Sequence, residues 1–128
     1  MEPSRRNRAL SLALAIVVST GLHSLYRSKD ETSRQMDATR VSDLTKISYK
    51  VNGYFEQHSR LPASLDEASI QSRDPRTAQP YVYRLKDERT YELCADFDRG
   101  APNPQFAAGH FWTHSSGIQC VTVSSYKK

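Results

Sequence analysis

The sequence predicts an α+β protein in which a long amino-terminal helix, membrane-embedded in its first half, packs on a small antiparallel sheet of about four strands. Three observations predict it. An uncharged run at positions 9–26 is followed by a breaker-free stretch with helical periodicity; the second half changes to short β-rich runs between turn residues; and the two cysteines fall on two of those runs. At 128 residues there is room for one domain and one appendage. A chain that is 38% hydrophobic and 25% charged can build a small core, which excludes wholesale disorder.

The first element is MEPSRRNR, residues 1–8, whose Arg5, Arg6 and Arg8 precede ALSLALAIVVSTGLHSLY at 9–26. A basic segment ahead of an apolar run stays in the cytoplasm and sends the rest outward. The expectation is a single-pass protein of the bacterial inner membrane, with lipid around residues 9–26 and an extracytoplasmic carboxy-terminal domain. The run is short for a spanning helix, and Ser19-Thr20-Gly21 offers small residues for a signal peptidase, so a secreted chain starting at Leu22 stays open beside the anchor. The net charge of +4 does not make a phosphate-binding face. Residues 27–128 hold 15 basic and 13 acidic side chains with signs alternating, as in Lys86-Asp87-Glu88-Arg89, so no nucleic-acid partner is expected.

The second element is an amphipathic helix over 27–60. Met36, Val41, Leu44, Ile47, Val51, Tyr54, Phe55 and His58 recur at three- and four-residue steps with no proline between. The opposite side, with Asp30, Glu31, Arg34, Asp37, Arg40, Asp43, Lys46 and Lys50, reads as solvated and laced by opposite charges. His58 is assigned a cap or core-edge role.

Residues 61–128 form the globular part. Ser64 with Glu67 is a capping box that predicts a short helix near 65–70. Pro75 and Pro80 make 71–80 a loop, and Tyr81–Leu85 with Thr90–Ala95 read as a hairpin. A second pair is expected at His110–Thr113 and Ile118–Val123. The tyrosines on these runs are assigned to sheet packing.

In an exported small domain, two cysteines predict a Cys94–Cys120 disulfide joining the inner strand of the first hairpin to the last strand of the second. The rival is zinc held by both cysteines with His110 and His114. On a strand, however, residues four apart lie about 13 Å apart, too far for one tetrahedral ion. A Cys-His nucleophile would need a free thiolate, an orienting group and a pocket. No catalytic residue, metal or cofactor is therefore expected. The runner-up to a structural role is an exported module binding nucleic acid or glycan through Phe106, Phe111 and Trp112.

LPASLDE at 61–67, DPRTAQPYVYR at 74–84, YELCADF at 91–97 and FWTHSSGIQC at 111–120, following such a helix, resemble the pilin-like proteins. The nearest forms are the type II secretion major pseudopilins and the single-span exported proteins that share their carboxy-terminal module. The resemblance covers about residues 40–123. It implies a non-enzymatic structural or assembly role among envelope proteins, with Asp74, Pro75, Pro80, Tyr81 and Tyr83 opening the sheet that packs on the helix. It also points to a calcium loop near Asp96 and Asp98, though two carboxylates are few for an ion taking six to eight oxygens. The prepilin peptidase site is absent: Gly21 is followed by Leu-His-Ser-Leu-Tyr, and no acidic residue lies between Ala9 and Arg27.

Overall fold

A computed structural model describes residues 5–101 and 113–126, with side chains from Leu10 onward. The chain forms two compact units, one ending at Ser33 and the other beginning at Arg34. A single helix, α1 (Arg5–His58), runs through both.

In the first unit α1 is bare. Leu10, Leu12, Leu14, Ile16, Val17, Val18 and Leu22 are all exposed. This helix is long and apolar enough to cross a membrane, in keeping with either an anchor or a signal sequence. Its hydroxyls are satisfied locally: Ser19 donates to Ile16 O, Thr20 to Ile16 O and Val17 O, and Ser24 to Thr20 O. None of these three therefore brings an unpaired donor into an apolar surrounding.

In the second unit α1 packs on a three-stranded antiparallel sheet, β1 (Val82–Leu85), β2 (Thr90–Phe97) and β3 (Gly117–Ser124), in the order β1-β2-β3. The α+β class and the first hairpin agree with expectation, but there are three strands among the described residues rather than four. Of the remaining expected strand, residues 110–112 lie outside the described residues, and Thr113 is in a bend.

The core is an alternation argument made physical. Tyr91, Leu93, Ala95 and Phe97 of β2 face α1 and meet Val41, Leu44, Ile47, Val51 and Phe55, while Glu92, Cys94 and Asp96 face away. The helical stripe thus supplies the core from Val41 onward. Three inward tyrosines fasten the layers: Tyr81 Oη donates to Asp43 Oδ2 (3.1 Å), Tyr83 Oη to Pro62 O (2.8 Å) and Tyr91 Oη to Ser48 O (3.4 Å). They carry hydrogen bonds as well as the packing expected of them.

Helix α1 ends as Ser59 enters the left-handed region (φ 59°) and its N–H reaches Phe55 O at 2.8 Å. His58 caps this end on the surface, with Nδ1 3.0 Å from Tyr54 O and its ring stacked on Tyr54. The expected helix at 65–70 is instead one turn, Leu65–Ser69. Ile70 N–H closes onto Leu65 O at 2.8 Å after Ser69 turns left-handed (φ 54°), which sends Ile70 into the core. Burying Leu61 and Ile70 from one short connection leaves no length for a second helical turn. The capping box is half present. Glu67 N–H meets Ser64 Oγ at 3.2 Å, but the Glu67 carboxylate takes the Ala63 N–H rather than that of Ser64.

Candidate functional site

The most elaborate polar construction in the second unit is a charge cluster centred on Arg40. This residue is 2% exposed and stands on α1 one turn before Leu44. Its guanidinium meets three carboxylates from three parts of the chain. Asp74, in the loop before β1, is held bidentately, Nε to Oδ2 at 2.6 Å and Nη2 to Oδ1 at 3.3 Å. Asp37, one turn back on α1, accepts from Nη1 at 2.8 Å, and Asp98, just past β2, at 3.1 Å. Arg76 closes the cluster on Asp98 Oδ2.

Two of the three carboxylates are in turn positioned by backbone. Asp37 accepts the N–H groups of Asp98 and Arg99, both at 2.9 Å, tying the strand end to the helix. Asp74 Oδ1 accepts the N–H groups of Arg76 and Thr77, both at 2.9 Å, which folds the 74–77 turn around its own side chain. Burial alone would depress the Arg40 pKa, but the hydrogen bonds it donates to Asp74, Asp37 and Asp98 outweigh it and raise it. Burial would likewise raise Asp74, yet the Arg40 hydrogen bond and the two backbone donors pull it down to about 2. Both partners are locked in their charged forms, so the cluster clamps helix, loop and sheet together.

This corrects the expectation that Asp37 and Arg40 lie on a solvated face. Both are buried, whereas Glu31, Arg34, Lys46 and Lys50 are exposed as expected. A signal was present: positions 37, 40, 44, 47, 51 and 55 keep one continuous helical phase, so the two charged residues extend the buried stripe. Their charge hides that phase.

A second hub lies at the helix end. Glu67 accepts from Tyr54 Oη at 2.8 Å and pairs with Arg60, whose guanidinium sits 5.5 Å from the Tyr54 ring centroid. The Arg60 contact, the Ala63 N–H and the Tyr54 hydroxyl hold the Glu67 carboxyl at about 2. Burial pushes Tyr83 up to about 12 and raises Tyr81 and Tyr91 further.

Cys94 and Cys120 stand directly opposite each other on β2 and β3, Cα to Cα 4.0 Å, and are joined by a disulfide. The rival zinc set is not assembled among its described members. The two sulfurs are bonded to each other on the outer face of the sheet, while His114 stacks on Phe97, an inward residue, at 3.7 Å between ring centroids. His110 lies outside the described residues, as do Phe106, Phe111 and Trp112 and the side chains of Arg5, Arg6 and Arg8. Asp98 spends its carboxylate on Arg40 and Arg76, and Asp96 is exposed on the outer face.

Comparison with family models, with curated proteins and with solved structures returns no match to this chain.

Proposed function

We propose that the chain is a non-enzymatic, membrane-anchored, extracytoplasmic pilin-like protein, serving as a structural or assembly component through protein contacts in the cell envelope. The observation that carries this reading is the change of character along α1. The helix is bare and apolar from Leu10 to Leu22 and becomes, from Val41, the spine of a small disulfide-bonded α+β unit. An apolar surface of that length needs lipid or protein around it. With no prepilin peptidase site and no acidic residue between Ala9 and Arg27, the chain remains in the inner membrane as a monomer or small oligomer and does not enter a filament as a processed subunit.

Protease added to intact spheroplasts tests the topology: it should remove the unit beginning at Arg34, and protection of that unit would overturn the reading. Salt-sensitive retention of oligonucleotide or glycan by the full chain would replace the structural role with ligand binding. A shortened chain in sheared surface fibres, after co-expression with a prepilin peptidase, would restore filament membership.

A further inference from the structure

The face of the sheet turned away from α1 holds a second chemical feature. Glu92 lies two residues from Cys94 on β2 and so projects from the same face, opposite Thr122 in the register that sets Cys94 opposite Cys120. The two sulfurs and a Glu92 carboxylate oxygen all lie within 4.8 Å of one another. Cys94 is buried, whereas Cys120 is exposed and offers its sulfur to a reagent in solution. We propose that the Cys94–Cys120 disulfide is reversible and that its reduced form, with Glu92, binds one thiophilic divalent cation.

The redox step consumes one dithiol reductant. A reductant thiolate attacks Cys120 Sγ, the S–S bond breaks, and its electron pair leaves on Cys94 Sγ, which takes up a proton. The reductant's second thiol then displaces Cys120 as a thiol. Two electrons and two protons have passed to the protein, and the reductant departs as its own disulfide. A cation next displaces the two thiol protons, forming two metal–sulfur bonds and one bond to Glu92, with a fourth position left to water.

The fold supplies the preorganisation. The β2–β3 register runs without a break from Thr90↔Ser124 to Phe97↔Gly117, and Tyr91 and Leu93 anchor the inward face in the core, so loss of the S–S bond leaves the two thiols facing each other. Among the described residues, Glu92 pairs with Arg84 and Lys86, each at 3.4 Å and each an exposed side chain. Exposed pairs of this kind hold a carboxylate weakly, which frees it for a metal. This ligand set differs from the Cys-His set considered from the sequence, since it needs no histidine and lies across the sheet from His114.

The test uses the full chain in detergent micelles and cobalt(II) alone as the probe. After reduction by a dithiol and removal of the reductant, one cobalt per chain should bind, with a sulfur-to-cobalt charge-transfer band that zinc(II) abolishes by competition. The oxidised chain and the Cys120→Ser variant should lack the band. Glu92→Gln should keep the disulfide and weaken cobalt by roughly tenfold or more, as loss of an oriented ligand does. The proposal is overturned if the reduced chain binds no cobalt, if binding lacks the sulfur band, if Glu92→Gln binds as tightly as the parent, or if reduction abolishes the far-ultraviolet dichroism of the fold.

Discussion

Arg40 Nε and Asp74 Oδ2 lie 2.6 Å apart across 34 residues of chain, and this contact joins the middle of α1 to the loop that launches the sheet. It is a buried, charge-assisted pair whose partners are further bonded, so its worth shows when one side is removed. Arg40→Met should lower the unfolding free energy by about 3 kcal/mol, because Asp37, Asp74 and Asp98 would be left without their common counter-charge. Urea denaturation of the chain in detergent, followed by tyrosine fluorescence, measures it. A change below about 1 kcal/mol would show that the cluster is incidental.

The same contact sets an acid limit. The folded pKa of Asp74, about 2, lies below its ordinary value of 3.8, so the stabilisation is fully present above pH 4 and is lost as pH falls through about 2. Its size is about 2 kcal/mol. Unfolding monitored between pH 6 and pH 2 should steepen below pH 4, and Asp74→Asn should be less stable at neutral pH with a flatter acid limb. Equal acid limbs in the two proteins would contradict this.

The disulfide closes a separation of 26 residues. Restricting the unfolded chain over that length is worth about 3.5 kcal/mol. The Cys94→Ser, Cys120→Ser double variant should therefore shift its denaturation midpoint down while keeping the sheet, because the β2–β3 register and core do not depend on the sulfurs. Loss of the folded baseline would show that the staple, rather than the core, holds the sheet.

Membrane residence depends on the exposed apolar run of α1. Ile16→Arg places a charge at its middle, at about 3 kcal/mol on an insertion scale. The variant should move from the membrane fraction towards the alkaline-extractable one, whereas Tyr49→Arg, on the exposed surface of the second unit, should not. Equal partitioning of both variants would mean that residues 9–26 do not anchor the chain.

Much of this protein is local and therefore legible in order along the chain. The apolar run, the long helix, most of the apolar stripe along it and the first hairpin each follow from periodicity or turn residues, which are properties of short segments, and the Cys94–Cys120 staple follows from a count of two cysteines in an exported chain. What only the tertiary structure decided are the features that require distant segments to meet. Arg40 reads as a surface charge until Asp74 and Asp98 arrive beside it, and burial of a guanidinium is tolerable only when such partners surround it. The turn at Leu65–Ser69 has the letters of a helix start, but the core claims Ile70 before a second turn can form. Glu92 is one letter of a β-rich run, and only the register of β2 against β3 brings its carboxylate beside both sulfurs. Local physics chose the elements, while charge compensation, burial of the Leu61–Ile70 connection and strand register were settled by contacts that no short segment contains.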